Sequence, residues 1–171
     1  MDCVAHLASL GHRDIVYIKD TRTYSAARKL SGFYRGMEQA GLFAGTESVM
    51  ETEKGIIGGI TAIRRIREKG IPFSAIVTGD DLSAAGAIKG LKKLDMVPGR
   101  DVAVTGFNDS LLAISTDPEL TSVNSLPEKM GETAVAILSL VLEGEDPPQS
   151  TLVRPKLAIR ESSSPFSRHK E

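Results

Sequence analysis

The chain has 171 residues and a formal net charge of −1 at pH 7, and 41% of its residues are hydrophobic. This length and hydrophobic content suit one folded domain, with or without an appendage, and exclude disorder for most of the chain. The near-neutral charge gives no general electrostatic reason to bind nucleic acid or an acidic membrane surface.

The cysteine content and the apolar runs bear on the compartment. Cys3 is the only cysteine, which excludes an intramolecular disulfide and suits a reducing environment. No apolar stretch approaches the ~20 residues needed to span a bilayer, and the first residues are too polar for a signal peptide. We therefore expect a cytoplasmic protein that does not act at a membrane.

The chain begins with a predicted short helix over 3–10, which ends at Gly11. Four short apolar runs, rich in Val and Ile, come after it. Nearly unbroken apolarity over so few residues is typical of strands buried on both faces. The four runs are 14–18, 47–50, 75–79 and 102–106.

The segments between these strands have helical periodicity. The apolar positions that share a face are Ala26, Leu30, Phe33 and Met37, then Ile56, Ile60, Ile63 and Ile66, then Ala84, Ala85, Ile88, Leu91 and Leu94. Strands that alternate with helices in this way indicate βαβ units. The sequence therefore predicts a doubly wound α/β domain with a parallel sheet, helices on both faces and ligand binding at the carboxyl ends of the strands.

Polar side chains follow two of these strands. Asp80 and Asp81 follow the third strand, and Asn108 and Asp109 follow the fourth. Asp81, placed before an alanine-rich helix, is a good N-cap, which leaves Asp80 at the strand end facing the cleft. An acidic cluster for metal or phosphotransfer chemistry is the alternative, but hydrogen-bonding side chains at two strand ends favour a binding site.

Apart from the acidic cluster, no residue set in the sequence has the spacing of a metal or catalytic centre. His6, His12 and His169 lie far apart, and none pairs with Cys3 at metal-ligand spacing. Neither a nucleophile elbow nor a P-loop is present. We expect no metal, no cofactor and no enzymatic activity.

The alternation of strands and helices ends after the fourth strand. Residues 107–127 are predicted to form a long irregular connection, and loops of this length are usually functional or interfacial. A fourth helix follows and ends at Gly144. Its apolar face consists of Met130, Ala134, Ile137, Leu138 and Val141.

The last part of the chain is less regular. In 152–160 apolar and basic residues alternate, which predicts a half-exposed strand, and Pro155 favours an edge position. The tail, 161–171, is predicted to be disordered.

In this order the motifs resemble the effector-binding domain of LacI/GalR-family transcription regulators, which shares its fold with periplasmic sugar-binding proteins. The resemblance covers residues 4–163, and 71–109 is its most specific part. The matching stretches are "AHLASLGHRDIVYI", "SAARKLSGFYRGMEQAG", "IPFSAIVTGDDLSAAGAIKGLKKLDMVPGRDVAVTGFND", "DPELTSVNSLPEKMGETAVAILSLVLEG" and "LAIRESS".

The resemblance implies effector contacts from "RKLSG", "GDD" and "GFND". Lys29 stands where the family usually has arginine, Asp80 lies at the strand end, and Asn108 stands where the family usually has aspartate. Lys54 falls where several members place an aromatic residue against the ligand. Compared with the family's usual residues, this chain has two added cations, Lys29 and Lys54, and one anion fewer, at Asn108. This difference predicts an anionic or phosphorylated effector. The alternative for both lysines is a solvated position at a helix end.

The resemblance also implies a division of the chain. Residues 1–123 correspond to the C-terminal lobe of the effector domain, 124–160 to a helix and return strand that cross to a first lobe, and 161–171 to a disordered tail. The DNA-binding domain and most of the first lobe lie outside this sequence, so DNA contact is expected only through them. We expect the apolar face of helix 127–144 to pack on a symmetry mate or on this lobe.

Leu111, Leu112 and Ile114 form an apolar group in the loop that the resemblance places at a dimer contact. The alternative is a loop that tucks against its own sheet, and the interface is favoured.

The sequence therefore predicts the effector-sensing, dimerising domain of a cytoplasmic LacI/GalR-type regulator that binds a small polar metabolite, either a sugar or an anionic sugar-like ligand. Two alternatives stay open. One is a flavodoxin-like, metal-dependent enzyme that uses Asp80 and Asp81, and the other is an extracytoplasmic sugar-binding protein of the same fold.

Overall fold

The structure, a computed structural model, describes residues 1–19, 23–163 and 165. A 3₁₀ turn, Thr46–Ser48, precedes the second strand. In chain order the elements are α1 (Asp2–Ser9), β1 (Ile15–Lys19), α2 (Tyr24–Gln39), β2 (Val49–Glu51), α3 (Gly55–Glu68), β3 (Ala75–Thr78), α4 (Asp81–Lys92), β4 (Ala103–Phe107), β5 (Thr121–Asn124), α5 (Pro127–Leu142) and β6 (Lys156–Ala158).

The described strands form one sheet in the order β2–β1–β3–β4–β5–β6. The first five strands are parallel, and β6 runs antiparallel to β5. Ile76 of β3 lies in register between Val16 of β1 and Val104 of β4. The predicted parallel α/β sheet is confirmed, including all four strands proposed from the sequence.

Helices cover both faces of the sheet, as predicted. Val16 and Ile18 of β1 point into a core that α3 and α4 complete. Ile15 and Tyr17 point to the opposite side, into a core with α1 and α2. Successive strand side chains alternate between faces, so a strand covered on both sides has to be apolar at every position.

Helices α3 and α4 touch through glycines. A Cβ atom on Gly59 would overlap the carbonyl oxygen of Ser83, and one on Gly86 would overlap that of Ile56. The two backbones therefore lie closer than any side chain would permit. This contact fixes the first turn of α4, which follows directly from the end of β3.

The prediction of an irregular connection over 107–127 was wrong in part, because it contains β5. This strand, "TSVN", is short and mostly polar, so it lacks the apolar signature of its neighbours. Thr121 and Ser122 are nonetheless fully buried. Strand β6 pairs with β5 at the edge of the sheet, as Pro155 indicated, so the return strand lies in this sheet.

The predicted disorder of the tail was wrong for its first residues. The amide of Ser162 donates to Glu119 O at 2.9 Å, and its carbonyl accepts from Val104 N at 2.7 Å. Its hydroxyl donates to Val104 O at 2.6 Å and accepts from Thr121 N at 2.8 Å. Ser162 thus caps backbone groups of β4 and β5, while residues 164 and 166–171 lie outside the described part.

His6 joins α1 to the same C-terminal segment. Its Nε2 lies 2.8 Å from the Ser163 hydroxyl, which in turn lies 2.7 Å from the Thr121 hydroxyl. Burial, and then the nearby His12, hold the pKa of His6 below its usual value. Both causes favour the neutral imidazole, which fits a hydrogen bond to a serine hydroxyl.

Helix α5 stands away from the rest of the chain. None of its residues is buried, and Met130, Leu138 and Val141 are about half exposed. The expectation that its apolar face packs on this lobe was wrong, and packing on a second copy stays a prediction. No helix within the described ranges is long and apolar enough to cross a membrane.

The glycine contact gives a stability prediction. We expect Gly86→Ala to lower the free energy of unfolding by about 1–3 kcal/mol, because the added methyl group forces α3 and α4 apart. Urea denaturation measures this change. Gly131→Ala in α5 is the matched control, since a Cβ there meets nothing within 4 Å; alanine should then stabilise by up to about 1 kcal/mol through helix propensity. Equal effects at both glycines would contradict the close-contact explanation.

Candidate functional site

Lys29, Lys54, Asp80 and Asn108 line one open cavity of about 200 Å³. They come from α2, the start of α3, the end of β3 and the end of β4. The cavity lies at the carboxyl edge of the sheet, where doubly wound domains bind ligands. The structure therefore brings together all four side chains proposed from the sequence. The remaining residues that line the cavity are Thr23, Ser25, Ala26 and Gly79.

Lys29 makes at least two contacts with described residues at the wall of this cavity. Its ammonium group donates to the carbonyl oxygen of Gly79 at 2.7 Å and lies 3.9 Å from the centroid of the Phe107 ring. A cation over an aromatic face gains electrostatic stabilisation from the ring. The half-buried Lys29 is therefore part of a fixed arrangement rather than a fully solvated helix side chain, whereas Lys54 is exposed.

Asp80, and not Asp81, is the N-cap of α4. Its side chain accepts from the Ser83 amide at 2.7 Å, and its backbone is extended, with φ −157° and ψ 169°. A capping residue needs this non-helical backbone, and Asp81 is already the first helical residue. The predicted N-cap role of Asp81 was wrong by one position, and Asp80 combines the cap with its place in the cavity wall.

Asp81 is instead a buried carboxylate, 2% exposed. One of its oxygens accepts from both the amide and the hydroxyl of Ser110, each at 2.7 Å, and the other accepts from the Ser122 hydroxyl at 2.6 Å. Gly106 lies directly beside it, because a Cβ there would overlap Asp81 Oδ1. Asp81 therefore joins α4, the loop after β4 and strand β5 beneath the cavity.

The loop after β4 has an unusual backbone. Asn108 and Asp109 have φ values of 113° and 51°, a region that asparagine and aspartate enter more readily than most residues. The backbone N–H of Asn108 donates to Val123 O at 2.9 Å, and the backbone N–H of Asp109 donates to the Ser122 hydroxyl at 3.0 Å. These bonds turn the exposed Asn108 side chain toward the cavity.

The acidic residues are occupied by protein donors. Asp81 accepts three hydrogen bonds, and Asp109 contacts Asn124 and Arg160. In the described ranges no group of three or more His, Cys, Asp or Glu side chains has the arrangement of a metal site. The hypothesis of a metal-dependent enzyme built on Asp80 and Asp81 gains no support from this geometry.

A second cavity, of about 540 Å³, lies on the other side of Lys29. Its lining is mostly apolar and includes Cys3, Phe33 and Phe107. Burial is the main reason why the pKa of the Cys3 thiol is raised, so the thiol stays protonated near neutral pH. A buried neutral thiol is a packing residue and a poor nucleophile.

The apolar loop proposed as a dimer contact is partly exposed. Leu111 is 77% and Ile114 is 51% exposed, while Leu112 is half-buried. Between them Ala113 is fully buried and anchors the loop to the core. The loop is thus fixed to its own sheet by one residue and presents two large apolar side chains outward.

Several residues of the site are not evident from the sequence. Ser110 and Ser122 hold Asp81, and Phe107 lies against Lys29. The available signal was the position of the two serines. Ser110 lies just after β4, the strand beside the one that ends in the "GDD" motif, and Ser122 lies within β5. This signal was missed because β5 was not recognised.

The roles of the two adjacent aspartates can be separated by matched variants. We expect Asp81→Asn to lower the free energy of unfolding by about 1–3 kcal/mol, because an amide group would face buried donors. Asp80→Asn should change it by less than about 0.5 kcal/mol, since asparagine is an equally good N-cap. Chemical denaturation of both variants measures this, and the opposite order would restore the original capping assignment.

Comparison with known proteins agrees with the observed fold. Residues 4–163 match the periplasmic binding protein-like domain family. The HTH-type transcriptional regulator MalR of Streptomyces coelicolor is 36% identical over 167 residues, which cover 94% of this chain and 48% of that protein. The chain spans about half the length of the curated relatives it matches.

Solved structures give the same result. A sugar-binding regulator of the LacI family from Escherichia coli, complexed with phosphate, superposes with a TM-score of 0.90 at 26% identity, over 96% of this chain and 60% of that one. A CelR–cellobiose complex superposes with a TM-score of 0.83 at 26% identity, over 94% and 50%. The chain belongs to the periplasmic-binding-protein-like domain family, and its relatives are LacI-family transcription regulators.

Proposed function

We propose that this chain is the effector-sensing, dimerising domain of a cytoplasmic LacI/GalR-type transcription regulator. In this proposal residues 1–123 form the C-terminal lobe, α5 within 124–160 is the part that reaches a first lobe, and β6 returns to the sheet of this lobe. DNA contact would come only from a helix-turn-helix segment outside these residues. The observation that carries the proposal is the convergence of Lys29, Lys54, Asp80 and Asn108 on one cavity at the carboxyl edge of the sheet.

The lining of this cavity suits binding rather than catalysis. In the part of the chain that the structure describes, it contains donors and acceptors from four separate elements, but neither a histidine nor a cysteine. Polar side chains placed by rigid elements are what orients a small polar ligand. Two structural neighbours carry phosphate and cellobiose, respectively, which are ligands of those proteins and support a small polar effector here.

The charge of the described lining residues favours an anionic effector. Among them, Lys29 and Lys54 contribute two positive charges, and Asp80 contributes one negative charge. Three helices also begin at the cavity wall, because Thr23, Lys54 and Asp80 are the N-cap positions of α2, α3 and α4. Helix N-termini carry partial positive charge and exposed amides, and both attract anions. A sugar that carries a phosphate or carboxylate fits this field better than a neutral sugar.

Thermal unfolding with paired ligands tests the effector class. At about ten times its Kd, a ligand stabilises the folded state by about 1.4 kcal/mol, which is about 3–6 °C in Tm for a domain of this size. We expect glucose 6-phosphate to raise Tm more than glucose does. Lys29→Met should abolish the difference, whereas Lys69→Met, which removes a charge at the far end of α3, should keep it.

Two results would decide against parts of this proposal. If only neutral sugars raise Tm, the anionic class is wrong although the binding site stands. If no compound in a broad panel of neutral and anionic sugars raises Tm, the cavity is not an effector site of this class.

Dimerisation is tested by size-exclusion chromatography with light scattering. We expect a dimer for the wild-type chain, because the loop that carries Leu111 and helix α5 both expose large apolar side chains. Leu111→Asp should shift the protein to monomer. Phe43→Asp is the control, since Phe43 is 84% exposed in a loop that the proposal does not use. A monodisperse wild-type monomer would refute this assignment.

A further inference from the structure

The carboxylate of Asp109 lies between the cavity and the start of α5, and its side chain is 11% exposed. Oδ2 accepts from the Asn124 side-chain amide at 3.0 Å. Oδ1 lies 2.7 Å from the Arg160 guanidinium, at an angle unsuited to a hydrogen bond, so this contact is chiefly electrostatic. Asp109 thus contacts the last residue of β5 and the segment that follows β6, from the loop that carries Asn108.

Asn124 continues this chain of contacts to α5. Its side-chain oxygen accepts from the Leu126 amide at 2.7 Å. Leu126 is the N-cap position of α5, has φ 55°, and makes no capping bond with its own side chain. Its carbonyl accepts from Met130 N at 3.0 Å, which closes the first turn of the helix. The Asn124 oxygen therefore holds the residue from which α5 departs.

A carboxylate at position 109 determines which way the Asn124 amide points. An ionised carboxylate only accepts hydrogen bonds, so the NH₂ group of Asn124 has to face it. The oxygen of Asn124 is then turned toward the Leu126 amide. With the amide reversed, two acceptors would face each other at Asp109 and two donors at Leu126. The orientation of Asn124 thus depends on Asp109.

Arg160 explains why position 109 carries a negative charge. Its side chain is 19% exposed, and its guanidinium also donates to Leu120 O at 2.7 Å. A cationic side chain so little exposed needs an anion nearby, because removing one partner leaves an uncompensated charge. Glu119 is a second carboxylate, but it lies 3.8 Å away and is half exposed. Asp109 is therefore the closer counter-ion.

We propose that Asp109 is a positioning residue that couples the loop of Asn108 to the start of α5. It holds the backbone that places Asn108 at the cavity, and through Asn124 it fixes the direction in which α5 leaves the sheet. A shift of this loop when the cavity fills would therefore reach α5. The link between loop and helix is a property of the ligand-free chain, and only its use as a response to effector rests on the proposed function.

Hydrogen exchange of the ligand-free protein tests the coupling. We expect Asp109→Asn to speed amide exchange about tenfold at 108–111 and at 126–131, while α3 and α4 keep their protection. Asp101→Asn is the matched control. Within the described ranges, Asp101 accepts from the Val97 amide at 2.7 Å and pairs with Arg100 at 2.9 Å, two contacts that lie inside 97–101. Asp101→Asn should leave both 108–111 and 126–131 protected.

Asn124→Ala is a second variant that keeps the Asp109–Arg160 pair. It should speed exchange at 126–131 and leave 108–111 protected, because only the link to α5 is removed. Three outcomes would overturn the proposal: a uniform rise across all slowly exchanging amides in Asp109→Asn, a rise confined to 108–111 in that variant, or no rise at 126–131 in Asn124→Ala.

A ligand arm separates this inference from the proposed function. Glucose 6-phosphate should protect both 108–111 and 126–131 in the wild-type chain, and only 108–111 in Asn124→Ala. Protection of both segments in Asn124→Ala would contradict the coupling. Absence of any protection near the cavity would count against the effector proposal, and the ligand-free result would still decide on the coupling.

Discussion

The buried carboxylate of Asp81 is the interaction on which the site depends. It joins the first turn of α4 to Ser110 in the loop after β4 and to Ser122 in β5. A charge this deep is tolerated only if its hydrogen bonds are made, so arrangements that lack any of the three are strongly disfavoured. Asp80 precedes it and Asn108 lies two residues before Ser110. One carboxylate thus sets the spacing between two walls of the cavity.

The same residues explain why glycines surround this position. Gly106 leaves room for the Asp81 oxygen, and the glycine contact between α3 and α4 brings the two helix starts together. Lys54 and Asp80, the N-cap residues of these helices, are consequently neighbours in the cavity wall. Close backbone packing therefore places two helix N-termini, which carry partial positive charge, beside the lysines of the cavity wall.

Much of this architecture was predictable from the sequence. The strands β1, β3 and β4 are continuous apolar runs, and only a sheet covered on both faces accommodates them. Motif order placed Lys29, Asp80 and Asn108 at one edge, where the structure has them. Strand β5 was missed because Thr121 and Ser122 are buried through hydrogen bonds, which hydropathy does not detect. The N-cap role was assigned to Asp81 instead of Asp80 because aspartate is a favoured N-cap residue at either position. Only the backbone angles distinguish the two residues.

The hydrogen bonds of Ser162 also constrain how the chain folds during synthesis. This residue supplies partners to both backbone groups of Val104, in an interior strand, although it lies 58 residues further along the chain. A growing chain that has emerged only as far as β4 still lacks the groups that satisfy it. The β4–β5 half of the sheet therefore completes only after the C-terminal segment leaves the ribosome, whereas β1, β2 and β3 with their helices can assemble earlier.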